Sequence, residues 1–135
     1  MRVPQRGWRY RIYQVILLRM QKAAADAPEC GPEPLARYFR VFGDPTRVRI
    51  VEALLEGERT VSELVELTGA PQSRVSNHLA CLKWCRVAEA DRRGREVVYR
   101  VTDPRVRQLL DAAAGVAAEH GEHLASCRRI GPDWI

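Results

Sequence analysis

No apolar run in the 135 residues approaches the roughly 20 that a membrane-spanning helix needs. The strongest candidate, Ile12 to Leu18, is short, is interrupted by Gln14, and is followed by Arg19 and Lys22 instead of a clean cleavage site, so a signal peptide is not expected. A cytoplasmic protein with no membrane partner is expected. Also missing are a glycine-rich phosphate loop, a Ser/His/Asp set at a workable spacing, and any catalytic constellation around the three histidines. Nothing therefore calls for an enzyme or a small organic substrate. Internal repeats are absent, and the first 25 residues hold no acid at all.

What is present has an ordinary globular balance, 46% hydrophobic and 29% charged, in a length suited to one domain with a modest core. The net charge of +5 is misleading, because six basic groups lie within residues 1–25 and the remainder carries 16 basic against 17 acidic groups. Position is more informative. Residues 44–71 hold three basic and six acidic groups, whereas residues 72–107 hold nine basic and four acidic, a concentration that suits a phosphate-facing surface. Residues 1–30 are expected to form a basic flexible extension, or to precede the true start if Met20 initiates translation. Residues 31–127 are expected to form the folded domain, and residues 128–135 a tail.

Within that domain, Leu35, Tyr38, Phe39 and Phe42 make one apolar stripe of a helix beginning at Pro34 and ended by Gly43. Asp44 caps the next helix with Pro45 at its first position, and Val48, Val51, Leu54 and Leu55 give its inner face. Thr60 and Glu63 form a capping box that launches a short helix through Leu64 and Leu67, broken by Gly69. A further helix opens at Pro71 and Gln72 and runs to about Arg86. Two short helices joined by a tight glycine turn are a helix-turn-helix. Alternation then predicts a β-hairpin turning at Arg93 and Gly94, and Asp103 and Pro104 start a last helix with a seam of Val106, Leu109, Leu110, Ala113, Val116 and Ala117. A seam with no partner left in the chain points to dimerisation. The fold class expected is mainly α with a small β-hairpin, a winged helix-turn-helix that is homodimeric through its terminal helices.

At about 100° per residue, Val75, Leu79 and Leu82 share the core side of the second helix of the motif, and Ser73, Ser76 and Asn77 point outward. With Gln72 and Arg74 near its amino end, these short polar groups suit base edges and phosphates in a major groove. His78 either packs or contacts DNA. Arg92, Arg93 and Arg95 at the hairpin tip extend the basic surface. Double-stranded operator DNA is the expected partner.

Cys81 and Cys85 end that same helix, off the core stripe and one turn apart on one edge. Helical neighbours at this spacing have Cβ atoms about 5 to 6 Å apart, which lets two thiolates converge on an ion through metal–sulfur bonds of about 2.3 Å or longer. A disulfide wants about 3.8 Å and would be strained. Cys127 is the candidate third ligand and Cys30 a weaker one, from the same or the partner chain. Sulfur ligation favours a soft ion such as cadmium, lead, mercury or trivalent arsenic over magnesium or manganese. A thiol redox switch using Cys81, Cys85 and Cys127 is the rival.

The stretch from Phe42 to Asp103, with "DPTRVRIV", "TVSELVELTG" and "RVSNHL", resembles the ArsR/SmtB family of metal-sensing winged-helix repressors across roughly residues 33–127. The "CLKWC" placement is similar to the cadmium- and lead-sensing branch of that family, in which such a pair joins a carboxy-terminal cysteine of the other protomer. The resemblance implies a homodimer that binds operator DNA when empty and releases it on capturing cadmium or lead, with mercury and arsenite as further candidates. It implies Cys81, Cys85 and Cys127 as metal ligands. The family's other site on the last helix opens with Asp-x-His, but here the run is Asp103-Pro104-Arg105, so that site is not expected, and His120 and His123 are assigned to the surface.

Overall fold

Helix α1 (Pro32–Val41) begins two residues before the expected Pro34, with Pro32 in the first turn, where its missing N–H costs nothing. The Phe42 and Gly43 N–H groups donate to Phe39 and Arg40 carbonyls and close it. Tyr38 and Phe42 meet edge to face at 5.4 Å and pack on the core, while Leu35 and Phe39 stay exposed. The structure, a computed structural model, describes Leu18 and residues 30–129. The chain divides into two units, Met1–Pro32 and Glu33–Ile135. Except for Leu18 and Cys30, the expected amino-terminal arm lies outside the described residues, as do residues 130–135 of the tail.

Asp44 caps α2 (Pro45–Glu56) as expected, its carboxylate accepting from the Thr46 and Arg47 N–H groups at 2.8 and 3.0 Å. The helix buries Ile50, Val51 and Leu54 completely or nearly so. Ile50 stands outside the expected stripe, and Val48, which belongs to it, is half-buried. β1 (Arg59–Thr60) has no signature in the sequence, because two residues are too short to alternate visibly. It leads into α3 (Val61–Thr68), whose capping box forms as expected: Glu63 accepts from the Thr60 N–H at 2.7 Å, and the Glu63 N–H donates to Thr60 Oγ1 at 3.3 Å. Leu64 is the buried residue of α3; Leu67 is 59% exposed, since Val61 and Val65 pack against the core beside Leu64 in its place.

Gly69 takes the left-handed conformation (φ 66°), which a side chain would strain, and its N–H closes α3 on the Val65 carbonyl. α4 (Gln72–Trp84) follows and fixes itself by Val75, Leu79 and Leu82, all buried. At its end Arg86 also adopts positive φ, and the Val87 and Ala88 N–H groups both return to the Leu82 carbonyl, folding those two residues into the core.

β2 (Glu89–Arg93) and β3 (Glu96–Arg100) form the wing, paired in register from Glu89–Arg100 to Arg93–Glu96. β1 pairs with the other edge of β3, giving a three-stranded antiparallel sheet in the order β1-β3-β2. α5 (Pro104–Glu119), capped by Asp103, buries Val106 and is tied to the end of α2 by Arg107, which donates to the Leu55 carbonyl at 2.8 Å and pairs with Glu56 at 3.0 Å. After a break at His120, α6 (Gly121–Ser126) ends at Cys127. The fold is a winged helix-turn-helix.

Candidate nucleic-acid interface and metal centre

Burial of the Val75, Leu79 and Leu82 side of α4 leaves Gln72, Ser73, Ser76 and Asn77 exposed together, as an outward polar face at the helix's amino end. No side chain caps that end; the Pro71 carbonyl takes the Val75 N–H. Free N–H groups there suit anionic partners.

Arg74 and His78 lie one turn apart on a flank of α4 and both face Asp44. Arg74 Nη2 is 3.7 Å from Asp44 Oδ2, with the Arg74 side chain 42% exposed. His78 packs inward: its side chain is 12% exposed, its Nε2 lies 3.5 Å from Asp44 Oδ1, and that nitrogen has no hydrogen-bond partner. Of the two roles left open for His78, the structure supplies packing. Burial pushes the His78 pKa down, opposed by the Asp44 charge and assisted by Arg47 and Arg74. Burial would raise the Asp44 pKa, but the Arg47 N–H, the His78 charge, the Thr46 N–H and the Arg47 charge more than reverse it and hold the carboxyl below its ordinary range.

On the wing, Gly94 turns the hairpin at φ 64°, and Arg92, Arg93 and Arg95 are all exposed. Arg93 is engaged, however, by Glu58, and Arg100 reaches the same carboxylate at 3.5 Å. That hydrogen bond from Arg93 is the main cause of the lowered Glu58 pKa. Glu58 carries no local signal in the sequence, because only the β1–β3 pairing brings it to the wing.

Cys81 and Cys85 are both half-buried, one helical turn apart, and their thiols are near enough to couple electrostatically. Burial, then the charge and hydrogen bond of Cys81, pushes the Cys85 thiol pKa up, with Arg47 opposing. Helical periodicity puts both cysteines off the core stripe; Cys85 instead packs against the core. The Cys85 N–H still bonds the Cys81 carbonyl, so Cys85 keeps its helical position; after the reversal at Arg86, Val87 and Ala88 add to the core at this end of the helix. Among the described residues, no group of three Cys, His, Asp or Glu is gathered to hold a metal ion. Cys127, half-buried after α6, thus does not join the pair within one chain, and neither do the exposed His120 and His123. Cys30 is exposed. Two soft donors suit a thiophilic ion.

Phe39, Leu109, Val116 and Leu124, with intervening alanines, line an open apolar groove of about 440 Å³ along α1, α5 and α6. Among the described residues, no helix is long and apolar enough to cross a membrane.

The sequence profile described as "Bacterial regulatory protein, arsR family" matches residues 44–90. The chain is 44% identical over 108 residues to the probable mercury resistance operon repressor of Streptomyces lividans, covering 80% of this chain and 86% of that one. It is 42% identical over 82 residues to the HTH-type transcriptional regulator CmtR of Mycobacterium tuberculosis, covering 61% and 70%. Its fold matches the homodimeric winged helix-turn-helix DNA-binding domain Mb0332 of Mycobacterium bovis with a TM-score of 0.58 and 30% identity, covering 73% of this chain and 94% of that one.

Proposed function

Because the chain belongs to the arsR family of bacterial regulatory proteins, and is a transcriptional regulator and not an enzyme, we propose that it represses transcription by holding operator DNA as a metal-free homodimer. Release follows when a soft ion is held by Cys81 and Cys85 together with Cys127 of the partner subunit. The observation that carries this is the pair of half-buried, electrostatically coupled cysteines, Cys81 and Cys85, one turn apart at the tail of the same helix that presents Gln72, Ser73, Arg74, Ser76 and Asn77 at its head.

On the DNA side, the exposed face of α4 enters a major groove and Arg92 and Arg95 follow the neighbouring phosphates. The apolar groove along α1, α5 and α6 is closed by a second copy, in keeping with the homodimeric relative. Two α4 helices about one DNA turn apart, roughly 34 Å, then address successive grooves.

On the metal side, thiolate ligation selects cadmium, lead, mercury or arsenite over hard cations. The relative named for mercury resistance supports placing mercury beside cadmium and lead. When bound, such an ion replaces the thiol protons and cross-links its ligands. Cys81 and Cys85 thereby anchor the tail of α4 to the partner's carboxy-terminal segment. That tether releases DNA only to the extent that it is tighter in the free dimer than in the complex, and by reciprocity DNA must weaken metal binding by the same factor.

The experiment is a titration of DNA binding with cadmium, lead and mercury for wild type, Cys81→Ser, Cys85→Ser and Cys127→Ser. Wild type should release DNA, and each variant should need far more metal or fail to respond. Wild-type metal response in all three variants overturns the ligand set. Release by oxidant in the presence of chelator favours a thiol redox switch instead.

A further inference from the structure

Asp44 does more than cap α2. Its side chain is 9% exposed, and the carboxylate is immobilised by the Thr46 and Arg47 N–H groups, both bonded to Oδ1. The corner that carries it is locked in turn by Arg47, whose Nε and Nη2 bind the Val41 and Arg40 carbonyls at 2.6 and 3.0 Å. Against this fixed carboxylate, α4 presents two side chains from successive turns. Arg74 reaches Oδ2 at 3.7 Å, a loose ion pair, and His78 Nε2 stands 3.5 Å from Oδ1 without making a hydrogen bond. A buried polar atom left without a partner asks for an explanation. The charged groups facing His78 are Asp44 and Arg47 from α2 and Arg74 from its own helix.

We propose that Asp44 is a positioning residue for DNA reading: it holds Arg74 against the protein in the free state and, on DNA, exchanges that ion pair for a hydrogen bond from His78, fixing how α4 sits in the groove. This rests on α4 being the DNA-reading helix. The exchange is geometrically small. Arg74 is half exposed and free to swing toward a phosphate or base edge, and a movement of about 0.5 Å by α4 brings His78 Nε2 to normal hydrogen-bond length. Departure of the Arg74 guanidinium leaves the Asp44 carboxylate with a stronger demand for the His78 donor. A sequence that fails to engage Arg74 leaves the pair intact and His78 unbonded, so Asp44 contributes to discrimination and not merely to affinity.

The test uses a duplex selected by the wild-type protein from a random-sequence pool, with a scrambled duplex of the same composition. Asn caps helices about as well as Asp, so Asp44→Asn keeps the fold while removing the charge. Loss of a negative charge alone strengthens both duplexes alike and leaves their affinity ratio unchanged. The expected result is a fall of about tenfold in the selected-to-scrambled ratio for Asp44→Asn, and no further fall when it is added to Arg74→Ala. A ratio within about twofold of wild type, or an equal fall with and without Arg74, overturns the proposal. Nitrogen NMR of wild-type His78 provides the second measurement, independent of whether Asp44→Asn folds. A hydrogen-bonded Nε2 proton should appear only in the DNA complex, and an unchanged Nε2 signal overturns the proposal. If the wild type enriches no duplex, the assignment of α4 as DNA reader fails first and the proposal with it. Enrichment with an unmoved ratio removes the proposal alone.

Discussion

Arg93 grips Glu58 with two parallel hydrogen bonds, Nη1 to Oε2 at 2.8 Å and Nη2 to Oε1 at 2.9 Å, across 35 positions of sequence. The fork ties the wing tip to the residue that precedes β1, and it distinguishes Arg93 from its neighbours. Arg92 and Arg95 make no ion pair among the described residues and keep their charge for phosphates, whereas Arg93 must first leave a geometrically favourable carboxylate.

The salt dependence of DNA binding should reveal that difference. Removing one phosphate-binding charge flattens the slope of log affinity against log salt by about one. Arg92→Ala and Arg95→Ala should each do so, and Arg93→Ala should leave the slope nearly unchanged. Glu58→Gln should steepen it by freeing Arg93. Equal slopes for Arg92→Ala and Arg93→Ala would contradict the assignment of Arg93 to the wing's own structure.

Much of this molecule is legible in its sequence because the signals are local. Asp44 and Pro45, Thr60 and Glu63, Gly69, and the Val75-Leu79-Leu82 stripe each act within one or two turns, and each stands in the fold where propensity and periodicity put it. What escapes such reading depends on the meeting of distant segments. β1 exists only because β3 offers it an edge, and Glu58 reaches Arg93 only through that pairing. Leu67 fits the helical period yet faces outward, since the core has room for Leu64 and Val65. Cys85 keeps its helical position yet packs against a core that Val87 and Ala88 extend after the left-handed turn at Arg86, which periodicity does not register. His78 shows the same limit: its place on the wheel is sound, but only the α2 corner supplies Asp44 as its neighbour.

Mild acid should weaken the fold through His78. Its pKa is lowered in the folded state, principally by burial, against an ordinary value of 6.5. The unfolded chain therefore takes up the proton first as pH falls through 6.5, so stability is full above that value and declines below it until the folded-state pKa is passed. Thermal melting from about pH 7.5 to 5 should show this decline in wild type and a shallower one in His78→Gln. Asp103 acts in a separate window. The Arg105 side chain, and then its backbone N–H, hold the Asp103 carboxyl at about 2 against an ordinary 3.8, so its contribution is complete above 3.8 and disappears as pH falls through about 2. A melting temperature that falls equally in wild type and His78→Gln between neutrality and pH 5 would remove His78 from the account.

The division of the thiol site between subunits can be decided with mixed dimers. Cys81 and Cys85 share one edge of α4, and no third Cys, His, Asp or Glu joins them among the described residues of one chain. A dimer assembled from one Cys85→Ser chain and one Cys127→Ser chain then separates the alternatives. If the third sulfur crosses the interface, the intact pair of the Cys127→Ser chain meets Cys127 of the partner subunit, and one complete site survives. If it belongs to the same chain, neither half holds a complete set. The expected result is one tightly bound cadmium or mercury ion per mixed dimer against two in wild type, with neither parent homodimer retaining wild-type affinity. Tight binding lost from the mixed dimer as fully as from both parents would place the third ligand within the chain and require α6 to carry Cys127 to its own Cys81–Cys85 pair.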